Sequence, residues 1–167
     1  MNTALEARIQ QDSDVYTLPF PEIPPAMTGA DVPLYAAWLK RPYPSPVRAY
    51  FNVRVGAPLA HLTRQGTLDE YMTAQFYSPR IDLLLYDGKN YWIVEFHGQA
   101  TLPQFGRLFA YPHLLRVTYS TDIPLRSLLV AQNINPYIHD LFHTNHIEVI
   151  LYPDLLGQPQ HLFPKGT

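Results

Sequence analysis

Residues 80–97 read RIDLLLYDGKNYWIVEFH. Two alternating runs, Arg80–Tyr86 and Tyr91–His97, flank Asp87-Gly88-Lys89-Asn90, whose composition is that of a tight hairpin turn. With Gly88 and Lys89 as the loop, Asp87 stands opposite Asn90 and the register follows. Tyr86 faces Tyr91, Leu84 faces Ile93, Asp82 faces Glu95 and Arg80 faces His97. The other face pairs Leu85 with Trp92, Leu83 with Val94 and Ile81 with Phe96. One face is thus wholly apolar, and the other is apolar near the turn and ionisable at its far end.

Carboxylates directly opposite each other repel. A divalent cation, a shared proton or a neighbouring Arg or Lys must compensate. A hard cation such as Mg²⁺ takes one or two carboxylates with backbone oxygen and water. Asp82, Glu95 and the Phe96 carbonyl are such a set, with His97 two residues beyond Glu95 as acid, base or phosphate contact. The plainer reading is that Arg80 bridges Asp82 and Glu95 at a sheet edge and His97 is a polar end residue. The residues by themselves leave both open.

Outward from the hairpin, Ala49–Val55 (AYFNVRV) reads as a strand, Pro58–Gly66 as loop and Leu68–Phe76 as a short helix. Leu102, Phe105, Leu108, Phe109 and Leu115 recur at helical spacing and predict a helix over Leu102–Leu115. Pro103 suits its first turn, whereas Pro112 is expected to shorten or kink it. Leu125–Ala131 reads as a buried strand. Pro136–His143 is a helix capped by Asn135, Ile147–Tyr152 a final strand, and Pro153–Thr167 a loop-like tail. The order is strand, helix, strand, strand, helix, strand, helix, strand. It predicts an α/β fold: a mixed sheet that combines an antiparallel hairpin with crossovers, flanked by helices.

The chain has 167 residues and suits one folded unit. Of its 17 prolines, eight lie between Pro19 and Pro46 (Pro19, Pro21, Pro24, Pro25, Pro33, Pro42, Pro44 and Pro46). Residues 1–46 therefore read as a proline-rich extended arm with one short helix at Val32–Lys40, and residues 47–167 as the α/β domain. The arm carries Leu18, Phe20, Ile23, Met27, Tyr35, Trp38 and Leu39, which a disordered linker does not need. It is expected to pack on its own domain or on a neighbouring subunit, so a homo-oligomer is one expectation.

Charged residues make up 16% of the chain and the net charge is −2, so no global basic field draws in nucleic acid. The absence of cysteine removes thiolate nucleophiles, disulfides and Cys-based zinc sites. The first residues are polar and no apolar core follows them, so no secretory signal is expected. No run approaches the roughly 18 apolar residues of a membrane span. A cytoplasmic location is expected. There is no Gly-x-Ser-x-Gly elbow, P-loop or Gly-x-Gly-x-x-Gly.

The segment PRIDLLLYDGKNYWIVEFHGQATLPQFGRLFAYPHLL resembles the core of the PD-(D/E)XK nuclease superfamily. There a hairpin carries Asp on one strand and Glu-x-Lys on the next, and the helix that follows carries Gln-xxx-Tyr. Asp82 and Glu95 match the two acids. Gly106–Tyr111 (GRLFAY) resembles the helix motif, and SLLVAQNINPYIHDLFHTNHIEVILY resembles the closing strand–helix–strand. The likeness spans roughly residues 48–152 and extends more loosely to small phage-encoded members. Two positions depart from the pattern: His97 stands where the family has lysine, and Arg107 where it has glutamine. Histidine can carry a proton near neutral pH, and Arg107 can bind phosphate but is no general base.

The resemblance implies a restriction-endonuclease-like fold and a metal-dependent DNA nuclease. Asp82, Glu95 and the Phe96 carbonyl would hold Mg²⁺ or Mn²⁺, and His97 and Arg107 would orient the phosphate. It equally admits a degenerate nuclease scaffold with a structural or assembly role, such as a virion component that meets other virion proteins through the arm. Asp69 or Glu70 is a candidate for the extra upstream acid of some members, against a plain helix-dipole role. His139 and His143, one helical turn apart in HDLFHTNH, are a weaker zinc candidate against a solvated helix face. Arg41, Arg48, Arg54, Arg64, Arg80, Arg107 and Arg116 are scattered, and a phosphate-reading patch requires several of them to gather.

Overall fold

The computed structural model describes residues 13–25, 27–56, 79–120 and 122–162, together with Glu6 and Ile9. Its centre is a mixed sheet of seven strands in sequential order. The elements are β1 (Asp14–Thr17), α1 (Val32–Leu39), β2 (Arg48–Arg54), β3 (Arg80–Tyr86), β4 (Tyr91–Ala100), α2 (Leu102–Tyr119), β5 (Leu125–Ile134), a 3₁₀ turn at Pro136–Ile138, α3 (His139–Thr144), β6 (Ile147–Leu151) and β7 (Gln160–His161). β1 to β4 are antiparallel, β4, β5 and β6 run parallel, and β7 returns antiparallel. The α/β class and the mixed sheet follow the pattern read from the sequence. β1 and β7 do not: both are short edge strands without an alternating apolar run, and they form because an edge of the sheet was there to pair with. The predicted helix over residues 68–76, with Asp69 and Glu70, lies outside the described residues.

Two apolar clusters sandwich the sheet. On one side Tyr91 and Ile93 pack with Leu108, Tyr111, Leu115 and Tyr119 of α2 and Phe142 of α3. On the other, Trp92, Val94 and Phe96 pack with Phe20 of the arm and with Leu34, Tyr35 and Trp38 of α1. The arm therefore packs on its own chain, and the edge-to-face contacts of Tyr35 and Trp38 with Phe96 anchor it. Leu18 and Ile23, also expected to pack, are 58% and 76% exposed.

α2 continues past Pro112 to Tyr119, longer than its sequence suggested. Pro112 has no N–H to give to the Leu108 carbonyl one turn back. The Ser127 hydroxyl of β5 donates to that carbonyl at 3.2 Å instead, so the helix loses no pairing. At the start of α2 the Gln104 side chain reaches back to the Thr101 N–H at 3.2 Å. At its end Ser120 takes a left-handed conformation.

Asn135 caps the 3₁₀ turn as expected, accepting from the Tyr137 N–H at 3.0 Å. Of the helix predicted at Pro136–His143, Pro136–Ile138 is the 3₁₀ turn and the rest is α-helical, in a helix that extends to Thr144.

Candidate functional site: a hairpin that opens

The turn half of the β3–β4 hairpin has the predicted register. Asp87 N–H donates to the Asn90 carbonyl at 3.2 Å, and Tyr86–Tyr91, Leu85–Trp92, Leu84–Ile93 and Leu83–Val94 are paired. Asp87 organises the turn, accepting from the backbone N–H of Lys89 and Asn90 at 2.8 and 2.6 Å and from the Trp92 indole at 2.7 Å.

Beyond Leu83–Val94 the ladder stops. The expected pairs Ile81–Phe96 and Arg80–His97 do not form. Arg80 pairs instead with Arg54 of β2, and His97 with Ala131 of β5. Ile81 also changes sides, joining the α2 cluster while Phe96 lies in the α1 cluster. A regular alternation would have kept both on one face, so the wholly apolar face predicted for the hairpin ends at Leu83–Val94.

The carboxylates fill the opening. The Phe96 N–H, which a continued ladder would give to main chain, donates to Asp82 Oδ2 at 3.3 Å. The Asp82 N–H donates to Glu95 Oε1 at 3.2 Å. Asp82 and Glu95 thus exchange side-chain for main-chain hydrogen bonds across the gap. From α2, the Tyr111 hydroxyl donates to the Arg80 carbonyl at 2.9 Å and the Tyr119 hydroxyl to the Arg54 carbonyl at 3.0 Å. These two phenols, eight residues apart on one helix face, tie the opened strand ends to α2.

Four predicted site residues converge here. Glu95 is 2% exposed, and its Oε2 lies 3.6 Å from Arg107 Nη1. The compensating cation is thus Arg107 of α2 and not Arg80. His97 Nδ1 lies 3.7 Å from Asp31 Oδ1. Phe96 contributes its N–H to Asp82, while its ring is core.

Burial pushes the Glu95 carboxyl far above the usual carboxylate range, and the Asp82 charge raises it further, against the pull of the Asp82 N–H and Arg107. Burial likewise raises Asp82, with Asp31 adding to the shift and the Phe96 N–H, Arg107 and His97 opposing it. The Tyr111 phenol is raised by burial and by Glu95.

Two mutually repelling carboxylates, one buried and one half-buried, are a donor set that suits a hard divalent cation. Among the described residues no three Asp, Glu or His side chains group as metal ligands. A cation here would therefore rest on Asp82 and Glu95, completed by backbone oxygen and water. His139 Nδ1 lies 3.2 Å from its neighbour Asp140, and no zinc-type group forms around it among the described residues. Among the described residues Arg54 and Arg80 are neighbours on β2 and β3. Arg48 pairs with Glu6 at 2.6 Å and Arg41 bonds Gln158, while Arg107 reaches the carboxylates. Arg64 lies outside the described residues.

Two neighbours of the site were not anticipated. Asp31 is 8% exposed and stands at the N-cap of α1, yet makes no capping bond. Its carboxylate accepts from the Thr28 hydroxyl at 2.7 Å and faces His97. Thr28-x-x-Asp31 before an apolar run is a helix-start pattern, which hides any other use. Asn52 of β2 lines a recess with Asp82, Pro25 and Met27. Its signal was an Asn inside AYFNVRV, since Asn is depleted in strands and enriched in left-handed backbone.

No family model matches the chain, and no curated protein or solved structure matches it either. Among the described residues no helix is long and apolar enough to cross a membrane.

Proposed function

We propose that the chain is a metal-dependent phosphodiesterase of restriction-endonuclease-like fold that acts on DNA. The observation that carries this reading is the pairing of half-buried Asp82 with buried Glu95 at the point where the hairpin opens. Such a pair is unfavourable in an apolar interior unless it meets a partner charge, and Arg107 comes within ion-pair distance of Glu95 but not of Asp82. The sheet order fits as well: an antiparallel hairpin followed by parallel crossovers through α2 and α3.

Asp82 and Glu95 would hold Mg²⁺ or Mn²⁺, which when bound would make a coordinated water easier to deprotonate and stabilise charge on the phosphate. Arg107, whose side chain is 55% exposed, bridges Glu95 and solvent and is placed to meet a phosphate oxygen. His97 takes the lysine position of the resemblance, with Asp31 Oδ1 3.7 Å from its Nδ1.

The test is cleavage of plasmid and single-stranded DNA with Mg²⁺ or Mn²⁺, beside calorimetric titration of Mn²⁺. Wild type should bind the cation and cut, and Asp82→Ala should bring both to background. A chain with neither metal binding nor cleavage overturns the reading.

A second reading is a non-catalytic scaffold protein that assembles in the cytoplasm or in a phage particle. Its support is that Glu95 already spends one oxygen on the Asp82 N–H and the other on Arg107. Under it, sedimentation should show a homo-oligomer or ring, and removal of the arm should abolish assembly.

A further inference from the structure

Among the described residues, three that are not glycine have positive φ: Asn52, Ser120 and His146. Ser120 ends α2 and His146 sits in the turn before β6, where such backbone is ordinary. Asn52 lies in the middle of a strand, with φ 58°. A left-handed residue there interrupts the pleat, and its effect is visible in the packing. Ala49 and Phe51 face the α1 cluster and Tyr50 the α2 cluster, but Val53 and Val55 both follow Tyr50. The alternation slips by one residue at Asn52. On β3, Ile81 and Leu83 show the same slip at Asp82. The two strands pair Phe51 with Leu83 and Val53 with Ile81, so Asn52 and Asp82 stand at one level.

The slip opens the recess that Asn52 and Asp82 line together, with Pro25 and Met27 of the arm as its apolar wall. No side-chain hydrogen bond to a described residue occupies the Asn52 carboxamide. Left-handed backbone is sterically unfavourable for a residue with a Cβ, and glycine would adopt it freely. The chain has asparagine there, a residue that tolerates this backbone and that lines the same recess as Asp82.

We infer that Asn52 is a ligand-contacting residue whose carboxamide NH₂ donates to a phosphate oxygen of a nucleic-acid strand bound at Asp82. Asp31, Asp82 and Glu95 make this end of the molecule hostile to an anion. Arg107 supplies positive charge on the β4 side, and a neutral donor on the β2 side lets the phosphate approach without a further repulsion. This rests on the phosphodiesterase reading and names a contact beyond it.

The experiment separates backbone from side chain. A short fluorescein-labelled DNA duplex is titrated by anisotropy, with Ca²⁺ in place of Mg²⁺, against wild type, Asn52→Gly and Asn52→Asp, and each melting curve is recorded. Asn52→Gly relieves the left-handed backbone, so its melting temperature should hold or rise while its DNA affinity falls roughly tenfold or more. Asn52→Asp tolerates the backbone but replaces a donor with a further anion, so it should bind at least as weakly as Asn52→Gly.

Wild-type affinity in a folded Asn52→Gly overturns the Asn52 contact and leaves the nuclease reading standing. Should Asn52→Gly fail to fold, wild-type affinity in Asn52→Asp overturns the contact on its own. A wild type that does not bind the duplex overturns both.

Discussion

At its turn, the β3–β4 hairpin holds Asp87 among donors: two backbone N–H groups, the Asn90 amide and the Trp92 indole. At its open end the same two strands hold Asp82 and Glu95, each with one backbone N–H and with the other carboxylate as neighbour. Burial opposes ionisation at both ends. At Asp87 the hydrogen bonds from Asn90, Trp92 and Lys89 outweigh it and hold the carboxyl below the usual range. At Asp82 and Glu95 burial wins and both rise. A carboxylate surrounded by donors is held ionised, whereas one buried with few donors and a like charge beside it is raised. The hairpin contains both.

The largest effect should come from the turn. Asp87→Ala leaves two N–H groups and an indole without their acceptor and should cost about 2–3 kcal/mol in denaturant unfolding at pH 7. Because the folded-state value of Asp87 lies below its unfolded value, this stability is present above the ordinary carboxylate range and is lost as pH falls through the depressed value. The gap between wild type and Asp87→Ala should therefore narrow in acid. A gap that does not change with pH would mean that shape, and not charge, holds the turn.

The open end should respond with the opposite sign. Raised carboxyls favour the folded state below the ordinary carboxylate range, and that contribution is lost as pH rises through the raised values. Glu95→Gln keeps an acceptor for the Asp82 N–H and removes the buried charge. It should stabilise the chain by about 1–3 kcal/mol at alkaline pH, with little change in mild acid. Thermal melts across pH read this directly, and a Glu95→Gln variant destabilised at alkaline pH would break the contrast.

The smallest effect should fall on the tether that holds the gap open. Tyr111→Phe removes the hydroxyl that serves the Arg80 carbonyl and should cost about 1 kcal/mol. Amide exchange should speed up at residues 80–82 and stay unchanged at residues 83–86. Equal acceleration along β3 would show that α2 supports the whole strand and not its open end.

The turn half was legible because it is local. Asp87-Gly88-Lys89-Asn90 sets the register and period-two alternation sets the faces, so Leu83 to Val94 followed without any distant residue. The same register placed Asp82 beside Glu95, and their proximity survives although their ladder does not. It failed for Ile81 and Arg80 because β3 answers there to β2 and α2. Asn52 shifts the phase from one side, and Tyr111 holds the backbone from the other. Pro112 misled for a similar reason. Its missing bond is visible in the sequence, but the Ser127 hydroxyl that replaces it arrives from β5.

By itself the sequence determined the strands and helices with strong periodicity, the turn, the α/β class and the acidic end of the hairpin, because each is written in neighbouring residues. Tertiary structure decided how that end is built. It opened the ladder at Leu83–Val94, assigned Arg107 to Glu95, carried Asp31 from the proline-rich arm to His97, and set Asn52 level with Asp82. Those partners are far apart in sequence, and only the packing of the arm and α2 on opposite faces of one sheet brings them to the same point.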